Sequence, residues 1–113
     1  MIISSWNVNS IRARIENVIE YIIKFSPNII LAQEIKTEDK TFPYEDFKLL
    51  GYESYVFGQK SYNGVAIISN LKLKNIRRDL IKDKLKQSRI ISAEVEYKKK
   101  NIQLINIYTP NGN

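Results

Sequence analysis

Two apolar runs near the start of the chain end abruptly in groups that can do chemistry. In Asn28-Ile29-Ile30-Leu31-Ala32-Gln33-Glu34-Ile35-Lys36, an apolar stretch fit for a buried strand stops at an amide, an acid and a lysine. A carboxylate at the mouth of a buried strand is costly to desolvate unless a cation meets it, so Glu34 is a candidate metal ligand. Taken alone, the run fits equally well with a strand that ends and lets Glu34 face water. Ser5-Trp6-Asn7-Val8-Asn9 adds weight to the metal reading, because it closes another apolar strand with small, neutral, metal-capable groups.

The elements that would carry these groups follow from the pattern. Residues 1–6 read as a strand, with Ile2 and Ile3 inside it. Asn9-Ser10 offers a helix cap, and Ile11, Ile15, Val18, Ile19, Ile22 and Ile23 then recur at helical spacing. Pro27 stops that helix and releases a strand over 29–33. Strand, helix and strand in so short a span predict two parallel strands. Both then end on one side, bringing Asn7, Asn9 and Glu34 to the carboxyl edge where open α/β sheets place their ligands.

Further along, residues 37–43 read as a polar loop and Tyr44 to Leu50 as a short helix closed by Gly51. Strands are predicted over 52–57, 65–69, 72–77, 89–97 and 101–108. Asn63-Gly64 marks a tight turn, and residues 79–88 read as a charged, exposed loop with a short helical piece. Lys98-Lys99-Lys100 connects the last two strands as a hairpin. No repeat or linker interrupts the 113 residues, which suffice for one modest core.

Composition removes several chemistries. With no cysteine and no histidine, the chain holds no disulfide, thiolate nucleophile, serine–histidine–aspartate triad or histidine-ligated zinc. No apolar run approaches the roughly 20 residues that span a bilayer, so no membrane partner is expected, and a cytoplasmic location is the default. The net charge of +6 is unevenly placed. Residues 1–59 carry six Lys/Arg against eight Asp/Glu, whereas residues 60–113 carry twelve against four. An excess of this kind suits a polyanion partner, although lysine-rich turns also serve simply as solvated surface.

Five motifs then occur in order: Ser5-Trp6-Asn7-Val8-Asn9-Ser10-Ile11-Arg12-Ala13, Leu31-Ala32-Gln33-Glu34-Ile35-Lys36, Gly58-Gln59-Lys60 with Asn63-Gly64-Val65-Ala66, Arg89-Ile90-Ile91, and Tyr108-Thr109-Pro110-Asn111-Gly112. Together they resemble the exonuclease III family of Mg²⁺-dependent apurinic/apyrimidinic endonucleases, within the endonuclease/exonuclease/phosphatase superfamily. The resemblance implies an α/β fold in which residues 1–113 are the N-terminal half of a four-layered α/β sandwich, a mixed β-sheet with helices packed on it. It implies that Glu34 ligates Mg²⁺ (or Mn²⁺), with Asn7 beside the metal and the scissile phosphate. It further implies Asn9 near the metal site, Tyr108 directed at the phosphate, Asn111 on the DNA backbone, and Lys36 and Arg89 in supporting or DNA-facing roles. Ile35 departs from the family pattern, where threonine is common, but removes no ligand.

The residue types suit phosphodiester hydrolysis. Mg²⁺ is usually held by one or two carboxylates plus substrate phosphate, and neutral donors such as Asn7, Tyr108 and Asn111 can meet developing phosphate charge without repulsion. The resemblance implies double-stranded DNA as partner, cut 5′ to an abasic site or shortened from its 3′ ends. The C-terminal aspartate, asparagine and histidine residues of the family's site are missing from these 113 residues. Little or no nuclease activity is therefore expected of them alone, together with an uncovered apolar sheet face open to a complementing C-terminal fragment. Alternatives are a non-catalytic remnant or DNA-binding fragment, and a phosphatase of the same superfamily.

Overall fold

The computed structural model describes residues 1–80 and 87–109. Its elements run β1 (Ile3–Asn7), α1 (Ile15–Phe25), β2 (Ile29–Gln33), a 3₁₀ turn (Asp39–Thr41), α2 (Tyr44–Lys48), β3 (Glu53–Phe57), β4 (Val65–Ser69), β5 (Leu73–Arg77), β6 (Ile90–Tyr97) and β7 (Lys100–Ile107). The first sheet has the order β1-β2-β4-β3, and the second β5-β6-β7. β1 and β2 are parallel, as the strand–helix–strand reading requires, and all other pairs are antiparallel, so the first sheet is mixed.

α1 starts one turn later than its sequence period suggests. Ile11 is fully buried and its N–H donates to the Ile35 carbonyl at 3.0 Å, which keeps residues 8–11 tied to the end of β2. Ser10 Oγ instead accepts from Ala13 N at 3.2 Å and caps the turn that leads into the helix. At the other end Ser26 takes a left-handed conformation (φ 45°), its N–H bonded to the Ile22 carbonyl, and Pro27 ends the run. The Val18 and Ile22 side chains pack on Ile30, Ala32, Phe47 and Ile68 between the helices and the first sheet.

The opposite face of the first sheet meets the second sheet through Ile29, Val65, Ile67, Ile91, Ala93, Val95 and Leu104. β2 and β4 are thus covered on both sides, which is why their sequences are nearly continuous apolar runs. The layers shown are helices, mixed sheet and antiparallel sheet. Among the described residues no helix lies on the outer face of the second sheet. That face is apolar only at one end, where Ile105 and Ile107 are about half exposed. Elsewhere it is polar, with Glu94 accepting from Asn75 and Asn101.

Gly58 joins three segments near the site. Its N–H donates to Asp39 Oδ1 at 2.5 Å and its carbonyl accepts from Ser88 Oγ at 2.9 Å. A Cβ at this position would meet the Thr37 carbonyl and lie 2.8 Å from Asp39 N. Both are backbone atoms that cannot swing away. Gly58→Ala is therefore expected to destabilise the fold by about 2 kcal/mol, measured by urea unfolding.

Candidate active site

β1 and β2 end at the same edge, with Asn7 opposite Gln33. Pairing continues past both strands: Val8 N donates to the Gln33 carbonyl (3.0 Å) and Ser10 N to the Glu34 carbonyl (2.8 Å). From the other side, Ile35 N donates to the Gly64 carbonyl (3.1 Å) and Lys36 N to the Asn63 carbonyl (3.0 Å). Residues 34–36 are thereby held between two loops. Glu34 and Lys36 both sit in the left-handed region, at φ 51° and 53°. Such a conformation costs a non-glycine residue about 1–2 kcal/mol, and the flanking hydrogen bonds sustain it.

The left-handed turn at Glu34 changes which way the side chains face. In a regular strand Gln33 and Ile35 would share a face. Here Gln33 lies between the sheets, while Ile35 is in the core beneath the helices. The break in alternation lets the Glu34 carboxylate reach the end of β7, where its Oε1 accepts the Tyr108 hydroxyl proton. Tyr108 N donates to the Arg89 carbonyl at 2.8 Å, so the β6–β7 pairing extends to the site. The Tyr108 phenol is raised above the ordinary tyrosine range, first by its hydrogen bond to Glu34, then by desolvation and the carboxylate charge. The Arg89 charge opposes that rise.

Asn7 lies on the same side. Ser5 and Asn7 share one face of β1, and Ser5 Oγ accepts from Gln33 Nε2 between the sheets. Asn7 Oδ1 accepts from Asn9 N at 3.1 Å, and Asn9 Oδ1 accepts from Lys36 Nζ at 2.7 Å. Asn7, Asn9, Glu34, Lys36, Arg89 and Tyr108 are thus gathered at one rim. Asn111 lies outside the described residues. Beside the rim, Arg12, Lys36 and Lys60 line a hollow of about 230 Å³ together with one acid, Glu38, and with Thr37, Thr41 and Ser61. Arg12 and Lys60 add positive charge that the sequence motifs do not assign to the site.

Among the described residues no three acidic, histidine or cysteine side chains come together. The donor chemistry at the rim is one half-buried carboxylate, whose Oε2 accepts no hydrogen bond from the described residues, plus neutral amides. Such a set fits a hard cation that keeps several of its waters, as Mg²⁺ does, and would hold it through Glu34 with Asn7 alongside.

A family model described as the endonuclease/exonuclease/phosphatase family matches residues 4–103, across both sheets and most of the rim. The chain belongs to this family. It is 40% identical over 109 residues to exodeoxyribonuclease III of Haemophilus influenzae, covering 96% of this chain and 41% of that protein. Among solved structures it is similar to an AP endonuclease from Archaeoglobus fulgidus (TM-score 0.88, 36% identity, 99% of this chain and 42% of that one). It is also similar to the Neisseria 3′ phosphatase NExo bound to a product DNA hairpin (TM-score 0.88, 34% identity, 97% and 42%). The chain spans about two fifths of the length of these family members.

Within this family fold, the residue that ties β7 to β2 belongs to none of the sequence motifs. Asn106 is almost wholly buried. Its Nδ2 donates to the Ala32 and Ala66 carbonyls, both at 2.9 Å, and its Oδ1 accepts from Gln33 Nε2 at 2.8 Å. Ala32 and Asn106 each stand two residues before one member of the Glu34–Tyr108 pair. Apolar contact between sheets is non-directional, so this amide supplies direction where the pair must meet. A lone asparagine inside Ile105-Asn106-Ile107 is the available signal, since asparagine is depleted from strands.

Proposed function

We infer that these residues carry the metal- and phosphate-facing part of a Mg²⁺-dependent DNA-repair nuclease site of exonuclease III type. The observation that carries this reading is the Glu34–Tyr108 pair at a rim shared with Asn7, Asn9 and Lys36, in a chain of this family. Glu34 would hold the cation, and when bound the cation would offset charge on the phosphoryl group and lower the pKa of a bound water. Asn7 and Tyr108 would donate to phosphate oxygens as charge develops there. Lys36, Arg12 and Lys60 would take neighbouring backbone phosphates, with Arg89 behind Tyr108.

The substrate proposed is duplex DNA, cut 5′ to an abasic site or at its 3′ ends. With a single carboxylate at the rim and no histidine to align water, the 113 residues alone would cleave little or not at all. A complementing chain segment would supply the remaining groups. A second reading, removal of a 3′ phosphate from DNA, draws on the similarity to the Neisseria phosphatase. The test incubates the chain and its Glu34→Ala variant with duplex DNA carrying one abasic analogue, and with 3′-phosphorylated duplex, in Mg²⁺ or EDTA. Binding that is strengthened by Mg²⁺ and weakened by Glu34→Ala, with little nicking, is the expected result. Robust metal-dependent nicking by the isolated chain would contradict the division of the site, and phosphate release without nicking would favour the second reading.

A further inference from the structure

At the end of the molecule away from Glu34, Lys72, Lys74, Lys98 and Lys99 line an open groove of about 480 Å³ with Leu71 and Glu96. Tyr108 leaves β7 at one end of that strand, and Lys98-Lys99 enters it at the other. Eight residues of strand separate the two, about 25 Å at the usual rise, so the groove is not part of the rim. All four lysines are exposed, and among the described residues none has a carboxylate within 4 Å. Of the acids beside them, Glu96 lines the groove. Glu94, directly across from Lys74 in the β5–β6 ladder, accepts from Asn75 and Asn101 and feels the Lys74 charge, so the four lysines keep a positive excess there. Lys98 Nζ lies 5.5 Å from the Tyr97 ring, which leaves its charge intact.

The backbone beneath the groove runs against local preference. Lys98 and Lys99 are the two loop residues between paired Tyr97 and Lys100, at φ 50° and 66°. Two positive φ values make this a type I′ turn, where Asn-Gly is favoured and lysine is disfavoured at both positions. Two like charges have been placed side by side at a backbone cost, facing two more. An observed departure of this kind points from strain to function. Several exposed ammonium groups lining one groove suit a chain of phosphates. None of the exposed large apolar side chains lines it, which leaves a bilayer with nothing to insert against.

We propose that this groove is a second nucleic-acid backbone site, which anchors a stretch of DNA separate from the one at the Glu34 rim. It does not rest on the chemistry at that rim: DNA binding through the groove that is indifferent to Mg²⁺ and to Glu34 would fail the nuclease reading and leave this one standing.

The test measures binding of an undamaged 30-base-pair duplex by fluorescence anisotropy across a NaCl series. The proteins compared are wild type, Lys98→Asn/Lys99→Gly, Lys72→Ser/Lys74→Ser and Lys48→Ser. The Asn-Gly turn is expected to raise the melting temperature by a few degrees while weakening DNA binding about tenfold. The slope of log K against log salt should fall in magnitude by about 2, at roughly 0.9 for each phosphate no longer neutralised. Lys72→Ser/Lys74→Ser should weaken binding comparably, and Lys48→Ser, at an exposed lysine of α2 outside both sites, should keep the wild-type slope. Unchanged affinity and slope in both lysine variants would overturn the proposal. So would DNA binding that holds while adsorption to phosphatidylserine vesicles is lost.

Discussion

Asn106→Ala is expected to destabilise the fold by about 3 kcal/mol, the largest loss expected at any single polar residue of the two sheets. The substitution removes three hydrogen bonds at 1% exposure and leaves a void where the two sheets meet. Gln33 Nε2 keeps its contacts with Ser5 Oγ and the Leu31 carbonyl, so the loss stops short of a fully orphaned amide. Asn106→Leu fills the void yet restores none of the three bonds. It should recover part of the stability while the Tyr108–Glu34 contact stays loosened. Chemical denaturation measures the first effect, and the shift of the Tyr108 ring resonances measures the second. A wild-type denaturation midpoint in both variants would show that apolar contact alone sets the sheets' alignment.

Glu34→Gln is expected to abolish divalent-cation binding, with roughly a 100-fold loss in Mn²⁺ affinity, while keeping the fold. The side chain is nearly isosteric, and the backbone bonds that hold residues 34–36 are unaffected. The glutamine Oε1 still accepts the Tyr108 hydroxyl, but the carboxylate charge that also raises the Tyr108 titration is gone, so the phenol should move part of the way down toward ordinary tyrosine behaviour. The sign of the accompanying stability effect follows. A phenol whose folded pKa lies above its unfolded value stabilises the fold fully below the unfolded value, near pH 10, and loses that contribution as pH rises through the folded one. The stability gap between wild type and Glu34→Gln should therefore be constant at neutral pH and narrow in strongly alkaline solution. Titration of the tyrosine resonances and unfolding at several pH values measure both effects.

Much of the architecture was legible because the periodicities are strong. The β1–α1–β2 unit, the parallel pairing of β1 and β2, and the β6–β7 hairpin all followed from apolar spacing and turn residues. The start of α1 did not, because a helical period continues into Ile11 while a tertiary bond to the Ile35 carbonyl holds that residue beside the sheet. Lys100 reads as part of the turn but pairs with Tyr97 as the first residue of β7, since a two-residue loop closes the hairpin.

The rim was legible in its residue types and opaque in its geometry. Glu34 stands out as an acid ending an apolar run, yet no local rule predicts a left-handed glutamate, and that conformation is what turns the carboxylate toward Tyr108. The Tyr108 hydroxyl is expected from the motif to face phosphate, whereas here it donates to Glu34, which a substrate phosphate or cation would have to compete with. Asn106 stands out only as an asparagine inside an apolar strand, and what it and Gln33 bond to was opaque because a buried amide has no spacing signature of its own. Its meaning lies in partners more than 70 residues away in sequence.

Paramagnetic broadening by Mn²⁺ in an amide-resolved NMR spectrum tests the shared rim most directly. Signals of Asn7, Glu34 and Tyr108 should broaden together at low metal concentration, and Glu34→Gln should abolish the effect at all three. Broadening centred on Glu94 and Glu96, or spread evenly over the exposed acids, would contradict the placement of a cation where β1, β2 and β7 end.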